Sequence, residues 1–315
     1  MTLVSVVVPN WNGAGILEAC LLSLRAQTLA AHEVVVVDNG STDGSHRIAE
    51  AAPGVRLLRQ RDNLGFGGGA NLGVAATEAP LVAVLNSDAR PEPDWLSNLV
   101  RASGDAEQDV WAWGSVQLRP DGAIESAGDA WALAGAGYKL MAGDDVARLP
   151  AEPFEVFSPP GAAPLFRRSA FDVLGGYDEK FFLYYEDLEL SWRARWRGWR
   201  ALTVPDARVH HALGGSGDLG RTYRYAARNS LVTTVRHVPR LHPLTLAGHT
   251  LHEAAVARQR GVLRPYLRGR AAGVAALPRA FAERRRSARE HVRTRADVEG
   301  FLNSQGQALD ARSSP

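Results

Sequence analysis

The chain has 315 residues, 45% of them hydrophobic, which is enough for a large core in about two domains. A single cysteine, Cys20, excludes an internal disulfide and with it a disulfide-stapled secreted scaffold. The net charge of +2 hides an asymmetry, because residues 1–220 hold 18 basic and 28 acidic side chains whereas residues 221–315 hold 18 basic and 6 acidic. The basic C-terminal part therefore predicts an anionic partner.

The apolar N-terminal run predicts a strand rather than a signal peptide, because no basic segment precedes it. No stretch of about 18 uncharged apolar residues occurs, so no membrane-spanning helix is expected. Cys20 falls in an apolar helical pattern and is expected to be a core residue. These features favour a cytoplasmic protein.

Strand and helix patterns alternate along the first hundred residues. Apolar runs predict strands over 3–9, 33–38, 55–59 and 81–86, and helical patterns lie between them over 16–27, from a cap at Ser41 or Asp43 to residue 51, and over 71–78. Continuous apolar strands separated by helices indicate a parallel sheet covered on both faces. The fold class is therefore α/β.

The pattern changes after residue 110. Residues 113–118 and 123–127 predict short strands around a Pro-Asp-Gly turn, 184–196 a helix, and 200–205 a strand that leads to His210 and His211. Ala, Leu and Arg dominate residues 221–302, which predict a helical region, and the polar residues 303–315 predict a disordered tail. Domains are accordingly expected at 1–220, divided near residue 100, and at 221–302.

Polar side chains follow three of the predicted strands. Asn10 and Asn12 come after the first strand, Asp38 ends the second, and Asp88 follows the fourth. Ligands of such sheets bind beyond the carboxyl ends of the strands. The sequence therefore predicts a binding site at this edge.

The glycine-rich segment 65–71 is open to two interpretations. Glycines that open a helix let backbone N–H groups approach a phosphate, and the segment matches G-x-G-x-x-A, with Asp88 about 20 residues later. A dinucleotide fingerprint, however, belongs at the first strand-to-helix turn. A flexible loop without a nucleotide explains the same residues.

Asp88 and the pair Glu186–Asp187 carry the candidate chemistry. Asp88, beside Asn86 and Ser87, offers oxygen ligands for Mg²⁺ or Mn²⁺ completed by substrate phosphates, although a turn aspartate fits as well. Aromatic residues before Glu186 and Asp187 would exclude water and raise a carboxyl pKa, as a general base requires. Glu189 and Arg193, four residues apart, predict a structural ion pair instead.

Taken together, six segments resemble the family 2 inverting glycosyltransferases with the GT-A fold, a Rossmann-like and mostly parallel sheet with helices on both faces. The resemblance covers residues 3–216, and the nearest subgroup is the rhamnosyltransferase-like enzymes of bacterial polysaccharide synthesis. The segments are VSVVVPNWNG, VVVVDNGSTDGS, NLGFGGGANLG, LNSDARP, GGYDEKFFLYYEDLELSWRARWRG and PDARVHHALGGS.

The resemblance implies a role for each matching position. Asp187 would be the catalytic base with Glu186 beside it, and Asp88 and His211, rather than His210, would bind Mg²⁺ or Mn²⁺. The first position of the family's D-x-D-type motif is Asn86 here, so the metal would depend on one carboxylate. The nucleotide-sugar would contact Pro9, Asn10, Trp11, Asn12, Asp38, Asn63, Gly65, Gly67, Asn71, Asn86 and Ser87.

The expected reaction moves rhamnose or a similar hexose from a dTDP- or UDP-sugar to a glycan or polyprenyl-linked acceptor. A non-catalytic sugar-nucleotide-binding scaffold of the same fold is the alternative, and a nicotinamide-dependent oxidoreductase is a third. The arginines of 221–302 fit either docking on anionic lipid at the inner face of the plasma membrane or a solvated helical region. Nucleic-acid binding is not expected, because aromatic residues are scarce in this region and residues 1–220 are acidic.

Overall fold

The computed structural model describes residues 3–132, 135–212 and 218–313. Its strands are β1 (Val4–Asn10), β2 (Glu33–Asp38), β3 (Val55–Arg59), β4 (Leu81–Val84), β5 (Ala89–Pro91), β6 (Val110–Leu118), β7 (Ile124–Ser126), β8 (Asp129–Ala132), β9 (Ala136–Lys139), β10 (Phe154–Val156), β11 (Leu165–Arg167) and β12 (Arg200–His211). Its α-helices are α1 (Leu17–Arg25), α2 (Ser45–Ala51), α3 (Gly65–Ala75), α4 (Trp95–Gly104), α5 (Arg168–Leu174), α6 (Glu186–Trp196), α7 (Leu219–His237), α8 (Pro243–Gln259), α9 (Leu263–Ala275), α10 (Leu277–Ser287) and α11 (Arg295–Ser313).

The central sheet has the strand order β10-β12-β6-β11-β4-β1-β2-β3, with β5 added to β12 and β7 to β6. Strands β3, β2, β1 and β4 are parallel, as are β6 and β12, and β11 lies antiparallel between β4 and β6. β8 and β9 form a separate hairpin. The predicted mostly parallel α/β sheet is confirmed, with short antiparallel strands inserted into it.

Alternation along the strands divides the core into two layers. Val6 and Val8 of β1 face one side, where they pack with Leu17 and Cys20 of α1 and with α4. Val7 faces the other side, where Val74 of α3 packs together with α5 and α6. Helices cover both faces of the sheet, which explains why its strands are continuously apolar. Cys20 is a core residue, as predicted.

The glycine-rich segment forms a helix rather than a loop, which corrects the predicted helix start at residue 71. α3 begins at Gly65, although glycine is a poor helix former. A Cβ atom at Gly73 would lie 2.2 Å from Cγ1 of Val7, and one at Gly65 would lie 2.2 Å from the Phe182 carbonyl oxygen. The glycines are therefore required because α3 packs directly against the sheet and against the segment before α6.

β12 extends six residues beyond the predicted end at residue 205, and this extension carries His210 and His211 into the sheet. A proline normally interrupts the hydrogen bonds of an inner strand. Here the register of β12 against β6 shifts between Val204 and Arg208, so Pro205 lies in the irregularity and pairing resumes after it.

The predicted C-terminal helical region is formed by α7 to α11. α7 begins at Leu219, so the predicted boundary at residue 220 falls within its first turn. α11 continues to Ser313, where a disordered tail was predicted from residue 303. Val298 and Leu302 are buried against Trp192 and Trp196, which anchors α11 and lets the helix propagate. No helix in the described ranges is both long and apolar enough to cross a bilayer.

Candidate active site

A cleft of about 600 Å³ lies at the carboxyl ends of β1 and β4. It is also bordered by the first turns of α3 and α7, through Phe66, Leu219 and Arg221. Strand ends from the first half of the chain therefore meet the beginning of the C-terminal helical region here. The sequence-predicted residues that line the cleft are Pro9, Asn10, Trp11, Asn63, Gly65, Asn86, Ser87, Asp88 and His211.

Four predicted donor-site residues lie beside or beneath this cleft rather than in its wall. Asn71 is used structurally, since its side chain bonds both the backbone N–H and the carbonyl of Tyr177 at 2.9 Å. Gly67 packs against the Tyr177 side chain, where a Cβ atom would lie 3.0 Å away. Asn12 accepts a hydrogen bond from the Thr42 N–H and joins two loops, and Asp38 is fully buried at the end of β2.

Buried polar atoms without partners lie next to the cleft. Within the described ranges, Oδ1 of Asn10, Oδ1 of Asn86 and both carboxylate oxygens of Asp38 accept no hydrogen bond. The nearest cation to Asp38 is Arg59, whose Nε lies 3.7 Å from Oδ2. Buried polar groups are almost always hydrogen-bonded, and the Asn10 and Asn86 side chains that line the cleft offer acceptors to a polar ligand there.

Asp88 and His211 face each other across the cleft. β5 pairs antiparallel with β12 and sets His211 opposite Ala89, the neighbour of Asp88. Nε2 of His211 lies 3.2 Å from Oδ1 of Asp88, so the two side chains form an ion pair when the imidazole is protonated. His210 points away along the alternating strand and contacts Glu92 at 3.2 Å.

Glu125 of β7 holds the His211 ring from the other side. Its Oε2 lies 2.8 Å from Nδ1 of His211, and its side chain is 5% exposed. Burial disfavours the charged imidazole, but hydrogen bonds and attraction from Asp88 and Glu125 raise the pKa of His211 to about 9. A carboxylate on the second nitrogen is the usual partner of a metal-binding histidine, because it fixes the ring and its tautomer.

The Asp88–His211 pair fits a hard divalent cation. One carboxylate oxygen and one imidazole nitrogen are ligands that Mn²⁺ accepts, and Mg²⁺ is often bound by one or two protein groups with phosphate oxygens and waters completing the shell. No group of three or more His, Cys, Asp or Glu side chains suited to a metal occurs in the described part of the chain. A cation here would therefore rely on its ligand for several positions.

Asp187 lies in a second cavity of about 320 Å³ that adjoins the cleft. The two cavities share part of their walls, so a molecule in one reaches the other. Asp187 is the second residue of α6, its Oδ1 accepts the Leu188 N–H at 2.8 Å, and its Oδ2 lies where a side chain on Gly161 would be. The shared lining residues are Phe66, Asn86, Glu125, Lys139, Leu183, Tyr184 and His211.

Burial raises the pKa of the Asp187 carboxyl, and attraction to Lys139 opposes the change. Burial and the nearby Asp187 charge raise the pKa of Glu186 to about 8. The same two causes raise the pKa of Asp129 to about 8. The three neighbouring carboxyls therefore all have pKa values above those of exposed carboxyls, and a raised pKa makes Asp187 a stronger base than an exposed aspartate.

The segment before α6 has an unusual backbone. Phe182, Tyr184 and Tyr185 have φ angles of 66°, 66° and 70°, in the left-handed region that only glycine adopts readily. Asn229 of α7 is fully buried, and its Nδ2 donates to the carbonyls of Phe181, Leu183 and Tyr184 at 3.0, 2.9 and 2.8 Å. Helix α7 therefore fixes the segment from which Asp187 projects.

Sequence reasoning missed Glu125, Lys139, Arg221 and Asn229. The guanidinium of Arg221 lies 4.6 Å from the centre of the Trp11 ring and adds a positive charge to the cleft. Lys139 pairs with Glu125, and both lie in the stretch where the sequence shows no regular pattern. Only the scarcity of lysine, with Lys139 and Lys180 the two in the chain, marked any of these positions. The predicted ion pair between Arg193 and Glu189 is present, with a nitrogen–oxygen distance of 2.7 Å. Ser216, which belongs to one of the segments that carry the resemblance, lies outside the described residues.

Two solved structures share the fold. GalNAc-T7, crystallised with UDP, GalNAc and Mn²⁺, superposes with a TM-score of 0.61 at 18% identity over 75% of this chain and 48% of that one. The mannosyltransferase PcManGT from Pyrobaculum calidifontis, in complex with GDP-Man and Mn²⁺, gives a TM-score of 0.52 at 21% identity over 97% and 79%. Both likenesses concern the fold alone.

Sequence comparison identifies the family as well as the fold. The family model for glycosyl transferase family 2 matches residues 5–175. The N-acetylglucosaminyl-diphospho-decaprenol L-rhamnosyltransferase of Mycobacterium tuberculosis is 34% identical over 237 residues, which is 67% of this chain and 77% of that protein. The chain therefore belongs to glycosyl transferase family 2 and is a rhamnosyltransferase-like glycosyltransferase with a GT-A-type fold.

Proposed function

We propose that this protein transfers rhamnose or a similar hexose, with inversion, from a dTDP- or UDP-sugar to a hydroxyl of a polyprenyl-diphosphate-linked glycan. The observation that carries the proposal is the continuity of two cavities, one holding the Asp88–His211 pair and the other Asp187. The first suits a diphosphate and the second an acceptor hydroxyl. Membership of a nucleotide-sugar-using family supports both assignments.

The donor would bind with its nucleoside against the buried acceptors at the ends of β1 and β2. The Asp38 carboxylate and Oδ1 of the Asn10 side chain have no hydrogen-bond donors within the described residues, and base or ribose groups would supply them. Asp88 and His211 would hold Mg²⁺ or Mn²⁺, which neutralises charge on the diphosphate when bound. Arg221 adds a fixed cation at the same cleft.

Asp187 would act as the base. The acceptor oxygen bonds to the anomeric carbon as the bond from that carbon to the phosphate oxygen breaks, and the hydroxyl proton passes to a carboxylate oxygen of Asp187. The nucleoside diphosphate leaves with the electron pair of the broken bond. Attack from the side opposite the leaving group inverts the anomeric configuration, and one base is sufficient.

The acceptor class is inferred from the Mycobacterium relative, whose name gives a diphospho-decaprenol acceptor and L-rhamnose as the sugar. This relative matches two thirds of the chain. A lipid-linked acceptor also agrees with the distribution of charge, because the basic helical region 221–302 follows the acidic catalytic part.

The arginines of that region divide into two groups. Arg284 donates to the carbonyls of Val235, Val238 and Pro239, so it is part of the packing. The second group is exposed and lies beside apolar side chains of α8. Leu244 is 89% exposed and Leu251 is 72% exposed, and the two lie seven residues apart on one face of this helix. We propose that this exposed surface, with Arg258, Arg260, Arg264 and Arg268, binds anionic lipid. Sedimentation with phosphatidylglycerol vesicles, but not phosphatidylcholine vesicles, tests it, and equal sedimentation with both would contradict it.

The overall proposal is tested by nucleotide release. Purified protein is incubated with UDP-, dTDP- and GDP-sugars and an N-acetylglucosaminyl-diphospho-lipid acceptor, with Mn²⁺ or with EDTA. We expect acceptor-stimulated release of one nucleoside diphosphate that EDTA abolishes. Release that persists in EDTA would contradict the metal assignment, and absence of release from every donor would contradict transfer altogether.

A further inference from the structure

A third cavity, of about 250 Å³, lies between the C-terminal helices and the segment that precedes Asp187. It is walled by β9, α7, α8 and α9. Gly137, Tyr185 and Ala226 line both this cavity and the one that holds Asp187. Thr222 in turn lines both this cavity and the donor cleft. The third cavity is therefore a side chamber of the proposed active site.

The walls of the chamber carry an acidic side chain, a basic side chain and a neutral imidazole. Glu253 of α8 is half-buried, and its carboxylate makes no hydrogen bond or ion pair within the residues that the structure describes. Arg270 of α9 is held in place by the Ala227 carbonyl at 3.2 Å and by a hydrogen bond to Thr250. Burial lowers the pKa of His249, which keeps this imidazole neutral at pH 7.

Aromatic rings complete the chamber. Tyr185, Tyr223 and Tyr266 lie in its wall, and Tyr266 is fixed by a hydrogen bond from its hydroxyl to the Thr250 carbonyl at 2.9 Å. Burial raises the pKa of Tyr185 to about 12, so its phenol remains a neutral donor. Tyrosine rings with a free carboxylate and a positioned guanidinium match the apolar faces and hydroxyl edges of a sugar.

We propose that this chamber is an acceptor subsite that binds one saccharide ring of the acceptor next to the attacking hydroxyl, with Glu253 accepting its hydroxyl hydrogens. This inference rests on the proposed transfer to a glycan. A prenyl chain is disfavoured because it would cover the Glu253 carboxylate without offering it a hydrogen-bond donor. A diphosphate is disfavoured because the Glu253 carboxylate would repel it and Arg270 already contacts backbone and hydroxyl oxygens. The C-terminal helices thus determine which acceptor is used.

The test compares Glu253→Gln with His252→Gln, a change at an exposed neighbour on the same helix. Kinetics are measured with N-acetylglucosaminyl-diphospho-decaprenol in detergent. We expect Glu253→Gln to raise the acceptor KM about tenfold or more, as loss of a charged hydrogen bond does, while the donor KM and acceptor-free donor hydrolysis stay unchanged. His252→Gln should match wild type. Ala226→Leu, which fills the junction between the cavities, should lower kcat/KM for the acceptor.

Equal acceptor KM values for Glu253→Gln and wild type would overturn the subsite while leaving the proposed transfer intact. If the wild-type protein releases no nucleotide, the proposed function fails and the subsite is judged by binding alone. Saturation-transfer NMR with methyl N-acetylglucosaminide then decides. A signal that is lost in Glu253→Gln supports the subsite, and the absence of a signal in wild type overturns it.

Discussion

The contact from Asn229 to the strained segment gives a prediction that separates folding from catalysis. In Asn229→Ala the carbonyls of Phe181, Leu183 and Tyr184 lose their shared donor. The two N–H bonds of the amide serve three acceptors. At about 0.5–1.5 kcal/mol for each of the three hydrogen bonds, the gross loss of stability is about 1.5–4.5 kcal/mol.

Relaxation of the backbone offsets part of that loss. Tyr184 and Tyr185 hold φ angles near 70°, and a residue in such a region costs about 1–3 kcal/mol. Once the amide is gone, these residues can move toward ordinary angles and Asp187 moves with them. We therefore expect a net loss of stability of about 1–3 kcal/mol. The fall in kcat should be on the order of 100-fold, because a displacement of about 1 Å in a reacting group has that effect.

Urea unfolding gives the stability, and acceptor-dependent nucleotide release gives kcat and both KM values. Leu99→Ala in α4 is the matched control, because it empties a fully buried core position at a cost of about 2–5 kcal/mol. We expect this control to be destabilised at least as much as Asn229→Ala but to keep a kcat within a few-fold of wild type. If Asn229→Ala is destabilised and still turns over like the control, Asn229 does not position the base.

Three further substitutions probe the two cavities. Glu125→Gln should raise the Mn²⁺ concentration for half-maximal rate about 10- to 100-fold, because it removes the carboxylate that holds His211. Gly161→Ala should lower kcat at least tenfold and leave nucleotide affinity unchanged, since the new Cβ atom would lie 2.5 Å from Oδ2 of Asp187. Lys139→Gln should raise the pKa of Asp187, because the attraction of the ammonium group is removed. The acid limb of the pH–kcat profile should then move to higher pH by up to about one unit, because Asp187 becomes protonated, and therefore inactive as a base, at a higher pH.

Each of these has a control or a contradicting result. Glu107→Gln alters an acid that is 81% exposed and should leave the Mn²⁺ requirement unchanged. Gly104→Ala adds a methyl group where no atom lies within 4 Å and should retain activity. An acid limb that moves to lower pH in Lys139→Gln would show that the titrating group is not held ionised by this lysine.

The strand-end part of the site could be predicted from the sequence because it follows from local pattern. Apolar runs that end in Asn10 and Asp88 place these residues at one edge of a parallel sheet whatever the loops do. Glu125, Arg221 and Asn229 could not be found in this way. They reach the site through contacts with residues 86 positions away for Glu125, 210 for Arg221 and 45 to 48 for Asn229, and each resembles an ordinary surface or helix residue in its local sequence.

Two errors have the same physical origin. The helix was predicted to begin at residue 71, with the preceding glycines open to two interpretations, but close contact with Val7 and Phe182 lets it begin at Gly65 despite the low helix propensity of glycine. The strand ending at Pro205 was expected for a similar local reason, and a register shift lets β12 continue to His211. In both cases tertiary packing overrides a residue preference, and in both cases the affected element contributes to the active site.

The central claim is that Asp187 takes the acceptor proton while a separate part of the cleft holds the nucleotide. Its most direct test is Asp187→Asn, assayed for transfer and for binding of the nucleoside diphosphate with Mn²⁺ by calorimetry, beside Asp206→Asn, an exposed aspartate, as control. We expect transfer to fall by about 10²–10⁴-fold in Asp187→Asn, with the nucleotide Kd within a few-fold of wild type and the control unaffected. Wild-type turnover in Asp187→Asn would contradict the assignment and make the neighbouring Glu186 the first residue to examine as the base.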